Sequence, residues 1–377
     1  MTLIAHSLND KVPFIVGDIL LSATYKESFT SPTISVDIKD YLNEPTRKYF
    51  PNSLARKVYV ITPKLAVALA GDEIEMKNFL NGLRSWAKYD DVITKELLNK
   101  CLSSYNLNES FKESAFLMIL IEDLKDNKIE ISTFTSGKWK QTETEIFETI
   151  AAKGSGTTDF LFWAAEKGEF RSSLPKENIG HAIQSNTGLI ARLLAIEIAS
   201  LWNISNNWGA GFELAFYNYD HFTLFSEIAY VLYEAHYDEQ GGIGDPYPAK
   251  IMYYKYYGEE LVITSIDMNR GILEHENEYY VGQATECNTQ VFQVSPLDEP
   301  SEFPLSEIVS DLSFSTYRIA AGFIIKKNNK KLFIPSFFNE GPETHITYVP
   351  NKSLVIKMHE HAIKEIRNAA LKAFSNL

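Results

Sequence analysis

The sequence predicts an α+β protein in which antiparallel sheets pack against helices. Three observations lead to this class. Apolar strand patterns come in pairs separated by short polar turns, as in β-hairpins. Helical patterns, with apolar residues three or four positions apart, stand between these pairs. They do not alternate regularly with single strands, and such clustering favours antiparallel sheets with helices outside them over repeated β-α-β units.

Three hairpins are predicted in the first half of the chain. Each joins two apolar runs: residues 2–7 with 12–18, 58–62 with 65–70, and 116–122 with 128–133. The stretch 24–54 between the first two hairpins holds three prolines. We expect it to form a long loop or a small excursion from the sheets.

Helices are expected after the hairpins. Asp72 and Glu75 have the spacing of a capping box, and the helix that they open carries apolar side chains on one face. The remaining elements predicted before residue 238 are helices near 94–105, up to 163 and over 189–201, strands at 145–151 and 212–217, and an apolar stretch at 222–233.

Composition shifts at residues 238–248, whose glycines and prolines indicate a loop or a boundary. We therefore divide the chain into a domain of residues 1–237 and a C-terminal α+β extension of residues 238–377. The extension shows strand pairs near 250–268 and 317–335. Its final helix, near 356–375, has an apolar stripe at Met358, Ala362, Ile366, Ala370 and Phe374. The extension could cover a sheet of its own, or it could shape assembly and access to a site.

Charge and composition exclude several classes of partner. The 377 residues carry a net charge of −13 without a Lys/Arg cluster, which disfavours a nucleic-acid or anionic-membrane surface. No apolar run approaches the ~20 residues that span a bilayer, and the N-terminus lacks a secretory signal. Cys101 and Cys287 match no zinc or redox spacing. We expect a cytoplasmic protein without membrane or nucleic-acid partners.

Thr2 is the first candidate for chemistry. If Met1 is removed, the Thr2 hydroxyl can act as a nucleophile. Its own α-amine, which titrates near pH ~7.7–8, can then take the proton. Aminopeptidases that trim initiator methionine accept small second residues such as threonine. Threonine at position 2 is nevertheless common, so this residue carries little weight without further matches.

Further matches follow at fixed distances from Thr2. Gly17-Asp18 lies sixteen residues beyond Thr2, at the end of the returning strand. Lys57 heads the apolar strand 58–62, and the strand after it ends at Gly71. Ser155 stands in a Gly-Ser-Gly step before a helix.

Together these residues resemble the proteasome β-subunit and HslV family of N-terminal-nucleophile hydrolases, over roughly residues 2–233. The resemblance implies an αββα sandwich of two antiparallel sheets between helical layers. It implies five site residues: Thr2 as nucleophile, Asp18 and Lys57 as the charged pair beside it, the Gly71 N–H as oxyanion donor, and the Ser155 hydroxyl directed at the nucleophile. In such a site Lys57 favours the alkoxide and Asp18 offsets the lysine charge.

The chain departs from the family pattern in two places. Some thirty extra residues separate Asp18 from Lys57, so the choice of Lys57 assumes an insertion at 24–54. Lys39 inside that insertion is the weaker alternative, because no matching strand follows it. The family's Arg-Asp-x-x-Ser step is replaced by residues 202–206, Trp-Asn-Ile-Ser-Asn.

The resemblance predicts a threonine-type amidohydrolase, a peptidase of the proteasome or HslV kind. It would act on a peptide or amide substrate as a homo-oligomer, and the identity of any regulatory partner is left open. Two alternatives stay open: a catalytically inactive scaffold subunit on the same fold, and an amidase for small molecules. We expect no cofactor and no metal. His359 and His361 fall at the predicted start of the last helix, where side chains two positions apart diverge.

Overall fold

The computed structural model describes residues 2–9, 12–23, 34, 49–88, 92–104, 114–124, 128–165, 178–237, 242–244, 246–268, 272–276, 279–284, 287–298, 312–327, 331–333, 336–341 and 344–375. These residues form helices and mostly antiparallel sheets, so the expected α+β class is confirmed.

The first part of the chain contains two main sheets. Its strands are β1 (Leu3–Asn9), β2 (Val12–Asp18), β3 (Leu20–Ala23), β4 (Phe50–Leu54), β5 (Val58–Thr62), β6 (Leu65–Ala70), β7 (Ala115–Asp123), β8 (Ile129–Thr135), β9 (Lys140–Thr144), β10 (Glu148–Gly154), β11 (Phe212–Tyr217) and β12 (Phe222–Leu224). Sheet I has six strands in the order β12-β11-β2-β1-β10-β9, and sheet II has four in the order β5-β6-β7-β8. Strands β3 and β4 pair separately.

Sheets I and II pack face to face. Ile4 and Ile15 from sheet I meet Ala66, Ala68 and Leu117 from sheet II in one buried cluster. Side chains alternate between the two faces of a strand, so the neighbouring positions on β1, β2 and β6 point away from this cluster. The small alanines let the two sheets approach closely.

Helices lie against the outer sides of both sheets. The helices are α1 (Glu73–Ala87), α2 (Lys95–Ser104), α3 (Thr157–Ala165), α4 (Ile179–Ser200) and the short α5 (Trp202–Ser205). Helices α1 and α2 cover sheet II, where Phe79 stacks on Phe116 with ring centroids 5.1 Å apart. Helices α3 and α4 cover sheet I, where Phe160 and Leu189 join Leu3 in one core.

The second part of the chain adds two further sheets. Its elements are β13 (Glu227–His236), β14 (Tyr247–Tyr257), β15 (Glu260–Met268), β16 (Ile272–Glu276), β17 (Tyr279–Ala284), β18 (Cys287–Val294), β19 (Phe314–Thr316), β20 (Arg318–Lys327), β21 (Lys331–Phe333), β22 (Ser336–Glu340), β23 (His345–Val349), β24 (Ser353–His359) and helix α6 (Glu360–Ser375). Sheet III has the order β18-β15-β14-β13-β20-β21, with β22 also on β20, and sheet IV has the order β16-β17-β24-β23-β19. Within sheet III, β13 and β20 pair in parallel.

Helix α4 is buried between sheets I and III. Ala320 and Ile324 of β20 join the core that α4 shares with sheet I. The contact is close enough that a Cβ at Gly322 would lie 2.7 Å from the Ala191 carbonyl oxygen, so β20 needs a glycine there. The predicted division between residues 237 and 238 passes through sheet III, between β13 and β14.

The three predicted hairpins are confirmed by the pairs β1–β2, β5–β6 and β7–β8. Only one half of the predicted capping box forms, the cap made by the Asp72 side chain. Asp72 caps α1 by accepting from the Ile74 and Glu75 N–H groups. The Asp72 N–H, however, donates to the Ser114 hydroxyl at 2.9 Å rather than to the Glu75 side chain.

Several predicted element limits were wrong. The strand placed at 145–151 starts at Glu148, after a turn, and the helix placed at 189–201 begins at Ile179, where Asn178 caps it. The apolar stretch 222–233 contains two strands, β12 in sheet I and β13 in sheet III.

The final helix was also placed too early. It begins at Glu360, and Met358 lies on strand β24. Met358 is buried between sheets III and IV, so the predicted apolar stripe does not start on the helix. His359 is likewise the last residue of β24, and only His361 belongs to the helix.

Candidate active site

Three predicted site residues come from three separate elements. Thr2 precedes β1, Asp18 ends β2, and Lys57 precedes β5. Strands β1 and β2 are antiparallel with Ile4 opposite Gly17, so Thr2 and Asp18 lie at the same end of this hairpin. Packing of sheet II on sheet I brings Lys57 to that end.

The three side chains are joined by hydrogen bonds. The Thr2 hydroxyl donates to Asp18 Oδ1 at 2.5 Å. Lys57 Nζ donates to Thr2 Oγ1, to Asp18 Oδ1 at 2.7 Å and to the Leu20 carbonyl oxygen at 2.5 Å. An ammonium has three protons, so each one of Lys57 has an acceptor. The lysine is thereby held with its charge directed at the Thr2 oxygen.

Asp18 is held by the backbone as well as by Lys57. Its Oδ1 accepts from the Leu3 N–H at 3.0 Å, and its Oδ2 accepts from the Gly209 N–H at 2.9 Å. Asp18 is fully buried, and a buried carboxylate is tolerated only when it is paired and hydrogen-bonded. Gly209 has a φ of 102° and a Cβ there would lie 2.2 Å from Glu197 Oε2, so this donor position requires glycine.

Lys57 is fully buried, and its environment acts on the pKa in two directions. Burial lowers the pKa of Lys57 below its ordinary value, because the charged form loses its hydration. The carboxylates of Asp18 and then Glu213 oppose this effect, and the net direction is down. The ammonium is therefore lost at a lower pH than that of an exposed lysine.

Ser155 contacts the backbone of Thr2. Its N–H donates to the Thr2 carbonyl oxygen at 2.8 Å, and its hydroxyl lies 3.4 Å from the same oxygen and 3.1 Å from the Asn207 carbonyl oxygen. The preceding Gly154 has a φ of 121°, and a Cβ there would lie 1.8 Å from the Thr2 oxygen. The Gly-Ser-Gly step therefore fits closely around the Thr2 main chain.

Gly71 follows β6 directly and has a φ of 125°, a conformation that favours glycine. It stands just before the N-terminus of α1, where backbone N–H groups favour negative charge. Its role as the oxyanion donor stays a prediction. Lys39, the alternative lysine, lies outside the described residues.

The residues that replace the family's Arg-Asp-x-x-Ser step shape the loop after α5. Asn203 is buried, and its side-chain Nδ2 donates to the Leu193 carbonyl oxygen at 3.2 Å. Its main-chain carbonyl oxygen accepts from the Trp208 N–H at 3.1 Å. Asn206 reaches Asp159 at 3.3 Å. Asn203 thus bonds the backbone directly ahead of Gly209, which donates to Asp18.

Sequence reasoning missed a buried ion pair behind Lys57. Arg56 Nε donates to Glu213 Oε1 at 2.8 Å, and both side chains have no exposed surface. A signal was present in the sequence, since Glu213 stands inside the otherwise apolar strand β11. A charge at such a position needs a partner, but the sequence does not indicate which one.

Other features bear on cofactors, membranes and redox chemistry. Within the described ranges, no group of three or more His, Cys, Asp or Glu side chains could hold a metal ion. Cys101 and Cys287 are free thiols. No helix in the described part of the chain has both the length and the apolar character needed to cross a bilayer.

No protein-family model matches the chain, and no curated protein matches it in sequence.

Proposed function

We propose that this protein is a threonine-type amidohydrolase in which removal of Met1 makes Thr2 the N-terminal nucleophile. One observation carries the proposal: Lys57 Nζ donates to both Thr2 Oγ1 and Asp18 Oδ1. A buried ammonium that donates to a hydroxyl oxygen is placed to stabilise negative charge developing on that oxygen. Helices on the outer sides of sheets I and II support assigning residues 2–233 to an αββα sandwich.

The chemistry follows from the groups around Thr2. The Thr2 oxygen attacks the carbonyl carbon of the amide while the freed α-amine takes the hydroxyl proton. The oxygen–carbon bond of an acyl ester forms, the carbon–nitrogen bond breaks, and the leaving amine receives the proton. Water then hydrolyses the ester and regenerates Thr2. Lys57 stabilises the developing alkoxide, and Asp18 offsets the lysine charge so that the ammonium can remain buried.

The resemblance to proteasome β-subunits and HslV supplies the remaining parts of the proposal. On that basis the substrate is a peptide, the enzyme is a cytoplasmic homo-oligomer, and Gly71 donates to the oxyanion. An inactive scaffold subunit has less support, because such a subunit would not need Lys57 and Asp18 converging on a threonine hydroxyl. The small-molecule amidase shares the site and differs in its substrate.

The test compares three proteins: the native sequence, Thr2→Ala and Thr2→Ser. Intact mass first establishes whether Met1 has been removed. An electrophilic probe that acylates N-terminal threonine should then add one equivalent to the native protein and none to Thr2→Ala. Thr2→Ser should keep part of the labelling and of the hydrolysis, because the hydroxyl and the amine both survive.

Circular dichroism should show the same folded content in all three proteins, so that lost labelling reports chemistry rather than unfolding. Hydrolysis of short peptides against small amides separates the peptidase from the amidase. Retention of Met1 together with equal labelling of native protein and Thr2→Ala would contradict the nucleophile and favour the scaffold.

A further inference from the structure

The segment that carries Lys57 is held by the C-terminal part of the chain. The Arg56 N–H donates to the Ser295 carbonyl oxygen at 3.0 Å, beyond the end of β18. The Tyr59 hydroxyl donates to the Arg56 carbonyl oxygen at 2.7 Å and accepts from the Leu297 N–H at 3.0 Å. The main chain of Arg56, directly before Lys57, is thus tied to the residues after β18, once directly and once through the Tyr59 hydroxyl.

The Arg56 guanidinium strengthens this attachment. Its Nη1 donates to Glu259 at the β14–β15 turn, at 2.5 Å to the carbonyl oxygen and 2.9 Å to the carboxylate. Its Nη2 donates to the Val58 carbonyl oxygen at 2.8 Å. The guanidinium carbon lies 4.9 Å from the ring centroid of Tyr256 and 5.1 Å from that of Tyr59. The cation is enclosed by the Tyr59 ring from sheet II, the Tyr256 ring from sheet III and the Glu259 carboxylate in the β14–β15 turn.

Glu213 connects this cation to Lys57. Its Oε1 accepts from Arg56 Nε at 2.8 Å and from the Tyr256 hydroxyl at 2.9 Å. Its Oε2 accepts from the Lys57 N–H at 2.6 Å and the Val58 N–H at 3.2 Å. One oxygen therefore accepts from Arg56 and Tyr256, and the other accepts from the main-chain N–H groups of Lys57 and Val58.

We propose that Glu213 is a positioning residue for Lys57, and that Arg56 and Tyr256 fix its carboxylate, so that sheet III helps to direct the ammonium at Thr2. This inference rests on the proposed function. An ion pair with Arg56 would satisfy a merely structural carboxylate. The second oxygen, bonded to the main chain of Lys57 and Val58, is what favours the positioning role.

Charge supports the same assignment. The charged groups facing Lys57 are Asp18 from β2 and Glu213 from β11, and both oppose the effect of burial on its pKa. The groups facing Glu213 are Arg56, Lys57, Tyr59, Tyr254 and Tyr256. Neutralising Glu213 would remove one of the two carboxylates that oppose the lowering of the Lys57 pKa by burial.

The experiment compares Glu213→Gln and Tyr256→Phe with a matched control, Tyr253→Phe. Tyr253 lies on the same strand and also donates to a glutamate, Glu227, at 2.5 Å, but it belongs to the core between sheets III and IV. The full-length, Met1-processed proteins carry lysine labelled at Cε, and Lys57→Met assigns the Lys57 resonance. Two quantities are measured for each protein: the pKa of Lys57 by NMR titration, and kcat and KM against pH.

In Glu213→Gln the pKa of Lys57 should fall further below its ordinary value, and the basic limb of kcat/KM should move to lower pH with it. Tyr256→Phe should lower kcat roughly tenfold with KM unchanged, because the carboxylate loses one charge-assisted hydrogen bond. Tyr253→Phe should match the native protein. If Glu213→Gln does not fold, Tyr256→Phe, which keeps the ring, decides the question.

Wild-type values of both the Lys57 pKa and kcat in Glu213→Gln and Tyr256→Phe would overturn the positioning role. The proposed function fails separately. If the processed native protein neither hydrolyses amides nor is acylated, the reaction is absent, while the NMR titration still shows whether Glu213 sets the state of Lys57.

Discussion

The molecule has two cores that each lie between a pair of sheets, one between sheets I and II and the other between sheets III and IV. They are filled by different kinds of side chain. The first packs small residues such as Ala66 and Ala68, and charged side chains are buried at one end of it. The second is rich in stacked rings, among them Tyr253 on Phe314 with centroids 3.9 Å apart. Aromatic packing stabilises a fold, whereas a buried charge costs free energy that its partners at best offset. The first core thus adjoins the residues of the proposed site, whereas the second packs aromatic rings.

The strongest test of this contrast removes the charges of the first core. Asp18→Asn and Lys57→Met should each lower kcat/KM by about 10²–10³, the usual loss for a preorganised group beside a developing charge. The double variant should be little worse than the poorer single variant, because the two side chains act as one unit.

A matched pair exists outside the first core. Lys250 and Asp267 form an ion pair of the same length, 2.7 Å, in sheet III. Lys250→Met should leave kcat/KM unchanged. Steady-state kinetics on the four variants measures kcat/KM for each. If the loss of kcat/KM in the double variant equals the product of the two single losses, Asp18 and Lys57 do not act as a coupled pair.

The second test concerns the fit of β10 around Thr2. Gly154→Ala should lower the acylation rate by about 10²-fold, because the new Cβ would overlap the Thr2 carbonyl oxygen and displace the nucleophile. Gly137→Ala is the control. Gly137 also has a positive φ, of 63°, but its Cβ would meet only the end of the Lys153 side chain. Equal acylation rates in the two variants would show that backbone strain, rather than the position of Thr2, matters.

The third and smallest effect is on stability. Burial lowers the pKa of His6, on β1 beside Trp139, to about 4. The unfolded chain binds this proton near pH 6.5, so the unfolded state holds more protons between pH 6.5 and 4, and stability falls as pH falls through that window. Between pH 7 and 5 the loss should be roughly 2 kcal/mol.

Urea unfolding at the two pH values measures this difference. His6→Phe, which keeps a ring beside Trp139, should remove most of it. His361→Gln, which changes an exposed histidine on α6, should retain it. A pH dependence that survives in His6→Phe would assign the proton to another group.

Local patterns carried the sequence-based predictions that succeeded. Alternation of apolar residues and short turns identified the hairpin β1–β2, and its register places Asp18 beside Thr2. Lys57 was chosen because the resemblance to the proteasome β-subunit and HslV family places a lysine at the head of such a strand, and Lys57 Nζ does contact Thr2 Oγ1. These signals lie within a few residues of the feature that they predict, so no tertiary information was needed.

The missed features depend on distant partners. Glu213 is buried because Arg56, from the segment before β5, and Tyr256, from β14, reach it, and the sequence around residue 213 contains nothing that selects them. The start of α4 was missed because residues 179–188 are polar in part and are buried only between sheets I and III. Met358 was assigned to a helix because a β-strand and a helix can both place it on an apolar face.

The parallel pairing of β13 with β20 also sets an order of events during synthesis. A parallel pair needs a long crossover, and here β20 leaves the ribosome well after β13 and α4. Until β20 is synthesised, the side of α4 that packs against β20 in the folded protein is exposed to water. A nascent chain halted between these strands therefore exposes the apolar flank of α4 that β20 later covers, and slow translation of residues 238–317 would prolong the period in which neighbouring chains can associate through it.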